Sequence, residues 1–229
     1  MATRSRFLLG TAAIAAMLGE GSAALASSVA PSSETPDDLL RRLQAGNRRF
    51  VAGDLPDPKA DQAAQRRTAL VEGQAPGIAV LSCSDSRVVP NLMFLEGAGE
   101  LFVCRVAGNF ASDDMLGSLE YAVGHLKTRL IVVVGHEKCG AVEAVYDALA
   151  TREPLPGHLD TIYEGMRAAI KPVVTAKGTM TDAVVANVKA NVTRIAEDSA
   201  VLQPAIKSGA VRVVGGMYHL GTGRVVFFA

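Results

Sequence analysis

Two short stretches gather most of the side chains in this 229-residue chain that could do chemistry together. The first, Cys83-Ser84-Asp85-Ser86-Arg87, sets a thiol, a carboxylate and a guanidinium at alternate positions. The second, His136-Glu137-Lys138-Cys139-Gly140, spaces an imidazole and a thiol as H-x-x-C. Thiolate, imidazole and carboxylate are the donor set of Zn²⁺. Either pattern alone could arise by chance on a surface loop. Here each follows an apolar run that reads as a buried strand, Ile78–Leu81 and Leu130–Val134. If those strands are neighbours in one parallel sheet, their carboxyl ends bring Cys83, Asp85, His136 and Cys139 together, where open α/β sheets place their sites.

Three protein ligands, Cys83, His136 and Cys139, leave a fourth position for water or for Asp85. A zinc site with an open position is catalytic in type and a filled one is structural. Zinc brings the pKa of bound water near ~7, so hydroxide becomes accessible at neutral pH. Arg87 lies on the same side of an extended segment as Asp85 and could hold that carboxylate off the metal with its fork of donors. The plainer reading of Asp85–Arg87 is a loop ion pair of little energetic value. Other cysteine chemistries fit less well. A phosphatase loop needs five residues between Cys and Arg, and the residue three before Cys139 is His136, so there is no Cys-x-x-Cys redox pair. A Cys83–Cys139 disulfide would leave His136 and Asp85 unexplained. Cys104, inside the apolar run Leu101–Val106, reads as a small core residue.

The elements that would position these groups follow from pattern. Thr35-Pro36-Asp37-Asp38 opens a helix with an N-cap, a proline at the first helical position and acids in the first turn. Leu39, Leu40, Leu43 and Phe50 give that helix one apolar face. Asp61–Glu72 is expected to be a second helix, and Val88–Leu95 a turn and short helix. Leu101–Val106 is a strand ending in the small residues Ala107-Gly108-Asn109, as a backbone passing close to a ligand requires. Ser112 caps a helix carrying Met115, Leu119, Ala122 and Leu126. Further helices are expected at Gly140–Leu149, Asp160–Ile170 and Thr181–Asp198, with Pro172 and Gly178 separating the last two. Val211–Val214 and Val225–Phe228 are strands joined by a turn at Gly221–Gly223. Strands alternating with helices predict an α/β fold: a mainly parallel sheet with a C-terminal antiparallel strand, helices on both faces and an N-terminal helical arm.

With 23 basic and 23 acidic residues, there is no electrostatic case for nucleic acid or an anionic membrane. The start of the chain is different in kind. Arg4 and Arg6 precede an apolar segment, Phe7–Leu18, and an A-x-A-like site ends at Ala26. That is the tripartite pattern of an export signal, too short to span a bilayer. Residues 1–26 are therefore expected to be a signal peptide, of loosely twin-arginine type, and 27–34 a linker. Residues 35–229 form one domain, and the product is periplasmic or secreted. No other stretch could span a membrane.

Cys-Ser-Asp-Ser-Arg-Val at Cys83–Val88 and Gly-His-x-x-Cys-Gly at Gly135–Gly140 resemble, in order and spacing, the two zinc-site motifs of the β-class carbonic anhydrases. The similarity extends through Glu100–Arg105, Ser118–Ala122 and Gly216–Gly223, and so covers about Asp37 to Phe228. It implies reversible hydration of CO₂ to bicarbonate and a proton, by attack of zinc-bound hydroxide. By the resemblance Cys83, His136 and Cys139 would be permanent zinc ligands. Asp85 would be either the fourth ligand of a closed site or, paired with Arg87, an acceptor for the water's proton. Gln74 would donate to substrate oxygen, while Phe102 and Tyr121 would line an apolar cleft, Tyr121 from a partner subunit. Val88, Arg105 and Tyr218 occupy the positions of a bicarbonate regulatory pocket found in some members. Those members carry a tryptophan where this chain has Val80, which argues against allostery. A homodimer or homotetramer is implied, with the Leu39–Phe50 helix embracing the partner. His125, His158 and His219 could relay protons but equally suit ordinary surface positions. A COS or CS₂ hydrolase on the same scaffold, and a non-catalytic zinc protein permanently closed by Asp85, remain the alternatives.

Overall fold

The computed structural model describes residues 30–56 and 64–228. The expected signal peptide lies outside them, as do residues 27–29 of the linker and the start of the second expected helix. Among the described residues, no helix is long and apolar enough to cross a membrane.

A five-stranded sheet is the frame, in the order β2-β1-β3-β4-β5. Its strands are β1 (Ile78–Ser82), β2 (Leu101–Arg105), β3 (Leu130–His136), β4 (Arg212–Tyr218) and β5 (Val225–Phe228). The first four run parallel, and β5 returns antiparallel to β4. β1 and β3 are direct neighbours, with Ser82 opposite Val134. Both are buried on both faces along their whole length, which is why their sequences are continuous apolar runs with no alternation.

The helices are α1 (Pro36–Ala52), α2 (Ala64–Ala69), α3 (Pro90–Phe94), α4 (Asp113–Gly124), α5 (Gly140–Thr151), α6 (Leu159–Thr175), α7 (Met180–Glu197) and α8 (Gln203–Lys207). On one face of the sheet, Leu39 and Leu43 of α1 pack with Ile78, Val80, Val132, Phe94 and Tyr218. Gly46 permits that approach, because a Cβ there would meet the Phe94 carbonyl oxygen at 1.8 Å. On the other face, Leu119 and Ala122 of α4 and Val188 and Ile195 of α7 cover Ala79, Leu81, Ile131 and Val133. Thr35 and Asp38 close a capping box at the start of α1, as the sequence pattern indicates, and Thr179 and Asp182 build another on α7.

One helix boundary differs from expectation through a proline. Pro172 lies inside α6 and does not separate it from the next helix. Proline removes one donor to the i−4 carbonyl, but it falls within one turn of the helix end, where little ladder remains to be lost. The Ala176 amide still donates to Pro172 O at 3.0 Å and the Gly178 amide to Val173 O at 2.9 Å, so the helix closes off after Thr175 and the chain turns at Gly178. Of the expected Asp61–Glu72 helix, the described part is Ala64–Ala69.

Candidate metal centre

Sheet register places the ligands. Cys83 is the residue after the end of β1, and His136 is the last residue of the neighbouring β3. Lys138 adopts a left-handed conformation (φ 51°), turning the chain so that Cys139 becomes the N-cap of α5. Its sulfur thereby meets the positive end of a helix dipole, which favours thiolate. The ligand atoms of Cys83, His136 and Cys139 all lie within 4.8 Å of one another, and all three residues are buried. The two sulfurs are 4.0 Å apart and unbonded.

Three features fit this set to a metal ion. The imidazole is completely buried and pairs through Nδ1 with Glu137 O at 2.9 Å, which fixes the tautomer and leaves Nε2 facing inward. Nε2 has no hydrogen-bond partner among the described residues, an expensive vacancy for a buried nitrogen unless a cation fills it. The thiols compete for one negative charge. Hydrogen bonding from Cys139 and from the Gly108 amide pulls the Cys83 pKa down, while the Cys83 sulfur and burial push Cys139 up. Two adjacent thiolates need a compensating positive charge, which Zn²⁺ or a similar ion provides.

Asp85 stands beside this trio. Arg87 grips it bidentately, Nε to Oδ1 at 2.9 Å and Nη2 to Oδ2 at 2.6 Å, and the Arg87 amide adds a bond to Oδ1 at 2.9 Å. These donors, the Arg87 side chain first, hold the Asp85 carboxyl far below its usual range, so it is ionised at any physiological pH. Its Oδ2 is 3.9 Å from His136 Nε2, at the rim of the ligand set. Arg87 also donates to Lys138 O at 3.1 Å, tying the two motif loops together. Of the two arrangements open for Asp85 in the sequence, this is the arginine-paired one.

The remaining candidates fall into two groups. Val88 and Tyr218 are buried in one cluster on the α1 face of the sheet, where burial raises the tyrosine pKa. Arg105 reaches towards them but spends its donors on the Cys83, Asp85 and Val88 carbonyls at 3.0, 2.8 and 2.8 Å. It clasps the loop that carries both Cys83 and Asp85. Gln74, Phe102 and Tyr121 sit elsewhere. Gln74 is exposed ahead of β1, and Phe102 is level with Ala79, about 13 Å up the strand from Cys83 at a strand rise of roughly 3.3 Å per residue. Tyr121 is exposed and packs on Phe102 and His125, with ring centroids 6.2 and 5.1 Å apart. Within one chain these residues do not join the metal centre. Cys104 is buried without a partner, its pKa raised to about 11 by desolvation, as a core thiol should be. His219 pairs with Glu137 at 2.7 Å.

Sequence reading overlooked two buried asparagines on α7. Asn187 Nδ2 donates to Gly108 O at 2.7 Å, and Asn191 Oδ1 accepts from the Ala111 amide at 2.7 Å. The available signal was a pair of amides four apart, next to the apolar stripe Val184, Val188 and Ile195.

An α/β sheet with a buried Cys-His-Cys trio at adjacent strand ends, and an arginine-held aspartate at its rim, is placed to hold a metal ion. The family model described as carbonic anhydrase matches residues 78–225, and the chain belongs to that family. It is 38% identical to a carbonic anhydrase of Mycolicibacterium smegmatis over 84% of this chain and 93% of that one. Against carbonic anhydrase 2 of Mycobacterium tuberculosis the identity is 34%, over 83% and 92% of the two chains. Among solved structures it resembles the β-carbonic anhydrase CcaA (TM-score 0.66, 25% identity, 83% and 95% of the chains covered). It also resembles a Coccomyxa β-carbonic anhydrase in complex with acetazolamide (TM-score 0.64, 30% identity, 82% and 85% covered).

Proposed function

We propose that this chain is a zinc-dependent carbonic anhydrase that interconverts CO₂ and bicarbonate, working from the open arrangement of its site. The observation that carries the reading is the bidentate Arg87–Asp85 pair beside a three-ligand set. Cys83, His136 and Cys139 would hold Zn²⁺. The bound ion supplies a Lewis acid that makes hydroxide available from water at neutral pH. The chain's own residues do the rest. Asp85, ionised and fixed by Arg87, offers Oδ2, the oxygen nearest the ligand set, as a hydrogen-bond acceptor that would orient a water there. Arg87 keeps that oxygen from closing on the ion and leaves room for substrate. Arg105 holds the backbone on which both depend.

Gln74, Phe102 and Tyr121 suit the site of a neighbouring subunit, since they lie at the opposite end of the sheet from their own chain's Cys83. That supports a dimer, alone or paired into a tetramer, in which each site borrows an apolar wall. Arg105 Nε and Nη2 are engaged by three carbonyls, so a bicarbonate-regulated form would have to use its Nη1 donors or release some of those bonds for Val88, Arg105 and Tyr218 to bind an anion. Export from the cytoplasm rests on the basic and apolar pattern of residues 1–26. The sulfur-substrate hydrolase is the second reading, and the same ligands would serve it.

The test is CO₂ hydration by metal-quantified protein from pH 6.5 to 9, with COS as competing substrate. About one zinc per chain with hydration at neutral pH is expected, and Cys139→Ser should lose both. Zinc without hydration at any pH would remove the proposal, and turnover of COS alone would transfer it to the hydrolase.

A further inference from the structure

The loop that follows β2 is held in an unfavourable shape from outside the metal centre. Gly108 and Asn109 both have positive φ, 84° and 46°. A left-handed backbone is free to glycine but disfavoured for residues with a Cβ, asparagine tolerating it better than most. A Cβ on Gly108 would meet Met166 Sδ and Cε at 2.5 Å, so the loop backbone lies against the end of that α6 side chain. Such a shape persists only if its surroundings enforce it.

Two amides of α7 do so. Asn187 is fully buried and donates to Gly108 O at 2.7 Å. Asn191, four residues on, accepts from the Ala111 amide at 2.7 Å. Asn191 Nδ2 donates in turn to Asn187 O and Oδ1 at 2.8 and 3.0 Å, which fixes the orientation of the first amide. The clamp therefore grips the loop on both sides of Asn109. One consequence reaches the site: the Gly108 amide donates to Cys83 Sγ at 3.3 Å.

We propose that Asn187 and Asn191 are positioning residues for the metal centre, acting through Gly108 to set the hydrogen bond received by the Cys83 sulfur. This rests on the reading of Cys83 as a metal ligand. A donor on a ligating thiolate withdraws electron density from it and orients it, and such outer partners commonly govern metal affinity by about 10- to 100-fold. The alternative is that the two amides only satisfy buried backbone groups, which would affect stability and nothing else.

The experiment replaces zinc with cobalt in full-length protein and compares wild type, Asn187→Ala, Asn187→Ser and Val192→Ala. Val192 is half-buried on the same helix and has no side-chain group to hydrogen-bond the loop, and its variant controls for plain loss of stability. The expected result is that both Asn187 variants move the sulfur-to-cobalt charge-transfer band to longer wavelength and weaken zinc about 10- to 100-fold in chelator competition. Val192→Ala should lower the melting temperature and leave the band in place. A band and affinity equal to wild type in the Asn187 variants, or moved equally by Val192→Ala, would overturn the proposal. Should neither Asn187 variant fold, cadmium-113-substituted wild type decides: a cadmium coupling on the Gly108 amide proton is expected, and its absence counts against the inference. A wild type that takes up neither metal would overturn the metal reading itself, so the two failures are distinct.

Discussion

Arg87 shows how much one side chain can decide. Its fork holds Asp85 by both oxygens and also reaches Lys138 O, so it sets the carboxylate's direction and links the two ligand loops. Arg87→Ala is expected to leave zinc content near wild type while lowering CO₂ hydration on the order of 10²-fold, the scale of a misplaced acid–base group. Metal analysis beside stopped-flow hydration checks it, and loss of zinc instead would make Arg87 a structural residue. Lysine should not rescue, since a point charge cannot reproduce the bidentate grip. The trio of Cys83, His136 and Cys139 was legible as a group in the sequence because soft donors at fixed spacing are rare. Asn187 and Asn191 were not, because asparagine on a helix more often means an exposed position, and only tertiary packing reveals that these two face a strained loop. Arg105 was legible as a residue but not as a clasp, since its three acceptors are backbone carbonyls that no side-chain pattern marks.

At the level of elements, the parallel strands were readable from their apolar runs, and β3 and β4 were underestimated for a shared reason. β3 continues through Gly135 to His136, and β4 continues through Gly215 and Gly216 to Tyr218. Glycines resemble loop punctuation until a paired neighbour supplies the ladder. The short α8 was not anticipated, having too few residues for a periodic signal. The packing of α1 carries a testable charge cluster. Arg42 contacts Glu34, Glu96 and Glu100 at 2.8, 3.1 and 3.8 Å, and Glu96 is largely buried. Burial raises the Glu96 pKa above its ordinary 4.5, with Arg42 opposing. An acid raised in the folded state binds its proton more tightly there than when unfolded. Its contribution is favourable below the ordinary value and is lost as pH rises through the raised one. Melting temperatures across pH 4 to 8 should therefore show wild type losing ground to Glu96→Gln as pH increases through that window, then running parallel. A constant difference would mean Arg42 fully compensates the buried charge. Carboxylates with lowered pKa values, such as Glu137, slope the opposite way but are common to both proteins and cancel.

For the whole molecule, the separation of Phe102 and Tyr121 from Cys83 argues that a single chain is an incomplete enzyme. Each half of a dimer would lend its aromatic pair to the other's metal. The prediction is complementation: Cys83→Ser and Tyr121→Ala proteins, each weak alone, should regain part of the activity when mixed under conditions that allow subunits to exchange. Light scattering should give a mass of two or four chains; a monomer with full activity would exclude the arrangement. The sheet order has one more consequence. Cys83 follows the end of β1 and His136 ends β3, yet α3, β2 and α4 lie between them in sequence while the strands themselves are adjacent. The ligands are strangers until a long loop has closed and the central strands have zipped, so an unfolded chain offers only scattered donors. Acquiring a metal ion at this trio would then be a late event, and whichever compartment folds the protein would also have to provision it.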